Sequence, residues 1–280
     1  MGGPVLVGLD GTGNSVPAVR WGAEEAAVRN LPLHLLHSWV SQPWPVSCAP
    51  GEADRRRYGA EVLGRAAALV GELRPAVAVT AQQVGEEAAD ALAERSGTAT
   101  LLVLGSRGHD RISGFLLGSV SLRVLGRAAC PVVTVREEES SVGPAPEVVV
   151  GVQETGTEGE AVLDYAFTTA SAHRAGLRAV RAWAPAADPA RASDEAAGAA
   201  GARESLSASV APWREKFPDV RVVEQVAVGR AVPVLLAACS RAGLLVIGRR
   251  PQRTPLPLGP SVLAVLHHSR CPVAVVPRGA

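Results

Sequence analysis

The stretch VLVGLDGTG at Val5–Gly13 has a close copy, VVVGVQETG, at Val148–Gly156, 143 residues further along the chain. Two more landmarks follow each copy in the same order: LLVLGSRG (Leu101–Gly108) and LLVIGRRP (Leu244–Pro251), then CPVVTV (Cys130–Val135) and CPVAVV (Cys271–Val276). Three repeated landmarks at a nearly constant offset indicate a tandem duplication. We predict domains over 1–138 and 147–280, joined by a linker over 139–146 in a stretch rich in Ser, Gly and Pro.

Each copy alternates short apolar runs with stretches of helical spacing. In the first copy the predicted strands are Val5–Leu9, Leu33–Leu36, Val77–Val84, Leu101–Leu104 and Val132–Val135. The predicted helices between them are Val16–Arg29, Asp54–Leu73, Glu86–Ser96 and Ser119–Arg127. Apolar strands without polar alternation are typical of parallel sheets covered on both faces, with helices as the crossovers. The sequence therefore predicts an α/β fold of two tandem doubly wound domains, each a five-stranded parallel sheet with helices on both faces.

Composition excludes several classes of function. The 280 residues carry 28 basic and 27 acidic side chains, so a net charge of +1 gives no field that would attract nucleic acid or an anionic membrane. The four cysteines form no CxxC pair and keep no metal-ligand spacing, which argues against a zinc site or a disulfide framework. No signal-peptide pattern opens the chain, and no apolar run approaches the roughly 20 residues of a membrane span. We expect a cytoplasmic protein with no nucleic-acid or membrane partner.

The loop after the first strand, GLDGTGNS, does not match three known motifs of nucleotide-binding proteins and phosphatases. A dinucleotide fingerprint would need glycine where Val16 stands, a Walker A loop would need a lysine where the chain has none, and a DxDGT phosphatase would need aspartate at Gly8. What remains is Asp10 at a strand tip before a small, flexible turn. The plainer interpretation is a helix-initiating turn with Asn14 or Ser15 as its cap.

The loop after the fourth strand, within LGSRGHDRISGFLLGSVSLRVL (Leu104–Leu125), points to a ligand site. Gly105 and Gly108 flank two residues at the end of a buried strand, and Gly118-Ser119 begins a helix nine residues later. Glycine lets the backbone approach a ligand closely, and helix N-terminal N–H groups bind phosphate oxygens. The set predicts a phosphate-binding loop.

The first copy contains GSRG, then nine residues, then GS, and later CPVVTV. This arrangement resembles the G-2x-G-9x-G-(S/T) nucleotide motif of the universal stress protein family. The whole chain is similar to a tandem member of that family, whose domains have an adenine-nucleotide α-hydrolase-like fold. The resemblance implies that ATP binds in the N-terminal domain, with Gly105, Gly108, Gly118 and Ser119 at the ribose and phosphates. Asp10 matches the strand-one position beside the nucleotide, and Ser38 matches the position facing adenine. Arg107, Val120 and Ser121 lie inside the motif and are further expected contacts.

We also expect Mg²⁺ to accompany ATP through Asp10, the one carboxylate among the expected site residues, because magnesium usually reaches such sites through one or two carboxylates, phosphate oxygens and waters.

The second copy departs from this motif. Its loop, GRRPQRTPLPLGPS, has Pro251 at the position of Gly108, two residues fewer before Gly259, and Pro260 at the position of Ser119. Proline removes a backbone donor, and Gln153 also replaces Asp10. We expect the second site to be empty or altered.

The resemblance implies a stress-linked regulator that is not a catalyst. Two alternatives stay open: an interaction module that has lost nucleotide affinity, and a slow ATPase, for which Asp10 and His109 are the candidate bases. The resemblance also implies that the terminal strands of the two domains pair, and exposed sheet edges need covering. We therefore expect Val132–Val135 and Val273–Val276 to pair antiparallel within one chain. Self-complementary edges of this kind can also produce a homodimer.

Overall fold

A computed structural model describes residues 2–40, 51–106, 117–136, 147–153, 157–184, 195–249 and 258–277. The chain separates into two compact units, Met1–Ser141 and Val142–Ala280, called unit one and unit two below. The linker expected over 139–146 lies outside the described residues, so the predicted domain limits stay predictions. No described helix is both long enough and apolar enough to cross a membrane.

Unit one alternates strands and helices along its described length. Its strands are β1 (Val5–Leu9), β2 (Leu33–Ser38), β3 (Val79–Val84), β4 (Leu101–Gly105) and β5 (Val132–Val135). Its helices are α1 (Ser15–Arg29), α2 (Glu52–Leu73), α3 (Ala88–Arg95) and α4 (Ser119–Arg127).

Unit two repeats this order. Its strands are β6 (Glu147–Gly151), β7 (Gly176–Trp183), β8 (Val222–Val228), β9 (Leu244–Gly248) and β10 (Val273–Val276). Its helices are α5 (Thr157–Ala172), α6 (Glu195–Lys216), α7 (Ala231–Ala238) and α8 (Pro260–His268).

Each unit builds a parallel sheet whose strand order reverses once. In unit one the order is β3-β2-β1-β4-β5, and Val5 of β1 is in register with Leu33 of β2 on one side and Leu101 of β4 on the other. In unit two the order is β8-β7-β6-β9-β10. The chain leaves β1 in one direction and later returns to its other side as β4, so the switch point lies between β1 and β4. Ligands bind at such points in open α/β sheets.

The central strands form the core because helices cover both of their faces. The side chains of β1 and β4 are almost fully buried, while the edge strand β3 is largely exposed and buries Val84 at its end. Helix α1 packs against α2 and α3 packs against α4, which makes two helical layers. Helix α1 ends at Asn30, whose φ of 52° is left-handed and stops the helix.

The predicted α/β class, the parallel sheets and the helical crossovers are confirmed, with small differences at the ends of elements. Strand β3 begins at Val79 instead of Val77, because the chain after α2 first makes a turn in which the Val77 N–H bonds the Arg74 carbonyl. Strand β2 continues to Ser38, two residues beyond the predicted end.

Candidate functional site

A cavity of about 220 Å³ lies at the switch point of unit one, at the carboxyl ends of β1 and β4. Seven of the residues that the sequence singled out line it together: Asp10, Ser38, Gly105, Gly118, Ser119, Val120 and Ser121. Arg107 and Gly108, the other two, and the candidate base His109 lie outside the described residues. The cavity therefore brings together the described part of the predicted nucleotide site.

The Asp10 carboxylate organises the loop after β1. Its Oδ1 accepts hydrogen bonds from the Thr12 N–H (2.9 Å), the Thr12 hydroxyl (2.8 Å) and the Ser15 hydroxyl (2.6 Å). Gly11 between them has a φ of +79°, a left-handed conformation that favours glycine, and the Tyr58 hydroxyl of α2 donates to its carbonyl (2.8 Å). Much of the role of Asp10 is thus structural: it closes the turn that starts α1.

The end of β2 supplies the next wall. The Ser38 hydroxyl donates to the Glu86 carbonyl at 2.5 Å, so its proton is directed at the chain between β3 and α3. Next to it, the buried His37 bonds the Leu9 carbonyl through Nδ1 at 2.8 Å, which makes this nitrogen the donor. Burial lowers the pKa of His37, against smaller opposing effects of the Leu9 bond and the Asp10 charge. The lowered pKa favours a neutral imidazole, which donates this hydrogen bond to the last residue of β1.

Two glycines of the motif differ sharply in what a side chain would meet. A Cβ on Gly105 would lie 1.9 Å from the Asn14 carbonyl oxygen, so glycine is needed there for the backbone after β4 to pass the start of α1. Among the described residues, a Cβ on Gly118 would meet nothing closer than the Ser121 Oγ at 4.0 Å. Protein packing explains glycine at position 105, whereas the space beside Gly118 opens into the cavity.

Helix α4 begins at the cavity and directs its N-terminus there. Gly118 is the N-cap residue, and the first backbone bond of the helix joins the Leu122 N–H to the Gly118 carbonyl. The N–H groups of Ser119, Val120 and Ser121 come before that bond, as the first N–H groups of any helix do. With the positive end of the helix dipole, they form a site suited to an anion.

Unit two has a smaller cavity of about 100 Å³ at the same place in its sheet. Gln153 stands at the position of Asp10, and Val262 at the position of Ser121. Pro260 occupies the first position of α8, where Ser119 stands in α4, so one N–H is missing from this helix start. Of the changed residues, Gln153 lines this cavity, and Pro260 comes directly before Ser261 and Val262, which also line it. Pro251 and the shortened loop lie outside the described residues.

The structure also supplies cavity residues that the sequence analysis did not assign. Leu36, Leu92 and Leu104 form apolar walls, and the rest of the lining consists of Gly8, Leu9, Thr12, Ser15 and Ala88. Leu92 belongs to α3, an amphipathic helix on whose apolar side Ala89 and Ala91 are also buried. This amphipathic pattern was the available signal, but it does not reveal that the helix borders the switch point.

The described residues contain no group of three or more His, Cys, Asp or Glu side chains that could hold a metal ion. Asp10 is the one ionisable side chain among the described residues that line the cavity. A cation at this place would therefore need ligands from a bound molecule or from water in addition to Asp10.

Fold and cavity together define a class: a duplicated, doubly wound α/β protein with a helix N-terminus at the switch point of each unit. Comparison with known proteins narrows that class. The family model described as "Universal stress protein family" matches residues 1–136 and again 146–277. The chain belongs to the universal stress protein family, with two tandem domains of that family.

Individual relatives agree with this assignment. Universal stress protein Rv2005c of Mycobacterium tuberculosis is 33% identical over 291 residues, which cover 97% of this chain and 96% of the relative. A universal stress protein from Archaeoglobus fulgidus has a similar fold, with a TM-score of 0.70, 18% identity, and coverage of 99% of this chain and 98% of the other. Solved members of the family include complexes with cAMP and with dAMP, which cover 48% and 47% of this chain at TM-scores of 0.36 and 0.37.

Proposed function

We propose that this protein is a cytoplasmic regulator that binds ATP in unit one and does not turn it over. The observation that carries the proposal is the open start of α4: the cavity at the switch point meets a helix N-terminus beside Gly118, and no atom of the described residues explains why a side chain is missing there. Family membership supports the same interpretation, because the residues concerned match the nucleotide motif of the family.

In this proposal the base and the phosphates occupy opposite ends of the cavity. Leu36 and Leu92 offer apolar walls to adenine near Ser38, and the N–H groups that begin α4 receive phosphate oxygens. The hydroxyl of Ser121, a residue 9% exposed, is available at the phosphate end. Arg107 and Gly108 would complete the phosphate contacts from the motif loop.

Magnesium fits the described residues in a limited way. Asp10 offers one carboxylate, of which Oδ1 already accepts three hydrogen bonds within its own loop. One carboxylate with phosphate oxygens and waters is a common magnesium environment. We therefore propose that Asp10 reaches Mg²⁺ through its other oxygen, and that the metal offsets phosphate charge.

A regulatory role is favoured over catalysis by the lining of the cavity. ATP hydrolysis needs a group that positions or deprotonates water, and Asp10 is the one ionisable side chain that the described lining provides. Its Oδ1 is committed to the turn that begins α1. We expect phosphate release no faster than that of an Asp10→Ala variant, and a clear difference between the two would support a slow ATPase instead.

The decisive experiment copies the helix start of unit two into unit one. Ser119→Pro removes one N–H from the start of α4, as Pro260 does in α8. The fold should tolerate this change because proline is favoured at the first helical position. The ψ of 149° at Gly118 also suits a residue that precedes proline. Ser119→Ala, the matched control, keeps the N–H and removes the hydroxyl.

We expect calorimetric titration to show ATP binding by the unaltered protein and a loss of about 10-fold or more in Ser119→Pro, since a hydrogen bond to a charged group is worth about 1.5–3 kcal/mol. Ser119→Ala should lose less. A folded Ser119→Pro protein that binds ATP as well as the parent would refute the phosphate site. Absence of ATP binding by the parent would favour the interaction module.

A further inference from the structure

Two cysteines of unit two lie side by side, away from its cavity. Cys239 caps the C-terminus of α7, and Cys271 comes two residues before β10. Their exposures are 1% and 6%. Both sulfurs contact the same hydroxyl, because the Ser269 Oγ lies 3.8 Å from the Cys239 Sγ and 3.5 Å from the Cys271 Sγ. Two thiols and a hydroxyl therefore form one buried cluster.

The electrostatics of this cluster favour reaction at Cys239. The pKa of its thiol is lowered to about 7, first through a hydrogen bond with the Cys271 side chain and then through Ser269, while burial acts in the opposite direction. A thiolate is the nucleophilic form of cysteine. Both sulfurs lie within 4 Å of the Ser269 Oγ, which places them beside each other at one hydroxyl.

Unit one provides an internal comparison. Ser96 stands where Cys239 stands, and each bonds the carbonyl three residues earlier: Ser96 to Ala93 at 2.5 Å, and Cys239 to Leu236 at 3.6 Å. Cys130 is the counterpart of Cys271. Without a second thiol at position 96, burial raises the pKa of Cys130 to about 12. The duplication thus presents the same local fold once with a cysteine pair and once with a single cysteine.

We propose that Cys239 and Cys271 are a modification site that reacts with a peroxide to form an intramolecular disulfide. The Cys239 sulfur attacks one peroxide oxygen; an S–O bond forms, the O–O bond breaks, and the departing hydroxide takes a proton to become water. The Cys271 sulfur then attacks the sulfenic sulfur of Cys239; the S–S bond forms, the S–O bond breaks, and hydroxide leaves with the Cys271 proton as a second water. Two thiols are oxidised by two electrons and the peroxide is reduced.

Burial governs how this reaction would proceed. With both sulfurs inside the fold, the peroxide must enter through a local opening, and α7 is a helix of only eight residues that ends at Cys239. The disulfide would then join the end of α7 to the start of β10. Ala231 and Leu235 of α7 also line the cavity of unit two, so the link would restrain one wall of that cavity.

Peptide mapping tests the proposal on the full chain. Trypsin places Cys239 in peptide 231–241, Cys271 in peptide 271–278 and Cys130 in peptide 128–136. After treatment with hydrogen peroxide under native conditions and blocking of remaining thiols, we expect peptides 231–241 and 271–278 to be joined, with the loss of two hydrogens. Dithiothreitol should separate them, and Cys130 should stay a thiol.

Two variants sharpen the result. Cys271→Ser removes the partner, so Cys239 should then pass to higher oxides or remain a thiol, without any cross-link. Ser96→Cys builds the pair into unit one and should create a second cross-link, between its own tryptic peptide and peptide 128–136. The mapping of the unaltered protein does not depend on either variant: separate oxidation of the two cysteines, unchanged thiols, or a cross-link that forms only in denaturant would each overturn the proposal.

Discussion

Gly105 and Gly118 belong to one sequence motif, yet the structure predicts opposite consequences of replacing each by alanine. At Gly105 the new methyl group would lie 1.9 Å from the Asn14 carbonyl oxygen and 2.8 Å from its carbon, so the start of α1 must move by more than an ångström. Overpacking against backbone costs about 1–3 kcal/mol or more, and this contact belongs at the upper end. A loss of about 3 kcal/mol lowers the Tm of a domain of this size by roughly 10 °C.

At Gly118 the same methyl group meets, within the part of the chain that the structure describes, only the Ser121 Oγ at 4.0 Å. Alanine is a poorer N-cap than glycine, but it also restricts the unfolded chain, so we expect the free energy of unfolding to stay within about 1 kcal/mol of the parent. ATP affinity should fall, because the methyl group stands in the cavity where the phosphate would approach the helix start.

The assay is a pair of measurements on each variant: thermal unfolding without ligand, and calorimetric titration with ATP. Gly105→Ala should lower Tm, and Gly118→Ala should weaken binding at unchanged Tm. The reasoning fails if Gly105→Ala is as stable as the parent, or if Gly118→Ala binds ATP normally.

Three further predictions concern other parts of the chain. Glu25→Gln should lower the free energy of unfolding, measured with guanidinium, by about 3 kcal/mol, because the buried Arg29 loses its countercharge. The matched control is Glu52→Gln in the exposed Glu52–Arg56 pair of the same spacing, which should change this free energy by less than about 0.5 kcal/mol. Asp10→Asn should bring ATP affinity in Mg²⁺ close to that in EDTA; an undiminished difference between the two titrations would exclude Asp10 as a metal ligand. In the native protein, the rate at which Cys130 reacts with iodoacetamide should still rise above pH 10, because burial raises the pKa of its thiol to about 12. In denaturant the rate should level off soon after pH 9. The same pH profile in both conditions would refute this prediction.

The fold could be predicted from the sequence because its signals are repeated and local. The run VLVGL is apolar at every position, and the structure forms β1 over the same five residues, Val5–Leu9, with helices on both faces of the sheet. The ends of elements were less certain. Whether β3 begins at Val77 or Val79 depends on a turn in which the Val77 N–H donates to the Arg74 carbonyl. Neither valine nor arginine is a residue type that predicts a turn.

The site could be predicted in outline, but the reason for each residue could not. Gly105 and Gly118 look alike in sequence, although one is required by the Asn14 carbonyl and the other borders open space. Asp10 was expected beside a nucleotide; the three hydrogen bonds that it accepts from Thr12 and Ser15 depend on how the turn folds. Sequence patterns indicate which positions belong to the site, whereas contacts between segments that are distant in the sequence explain why each position needs its particular residue.

The two units show how a duplicated fold can keep its architecture while its sites diverge. The sheet order and the helix at the switch point depend on apolar strands and crossovers, which both copies retain. The anion site depends on a few backbone donors, so Pro260 alone removes one of them without disturbing α8, because proline fits the first turn of a helix. At a different place, unit two has Cys239 beside Cys271, where unit one has Ser96 and Cys130. Divergence of this kind predicts that nucleotide binding and thiol chemistry are separable, and that blocking either one leaves the other intact.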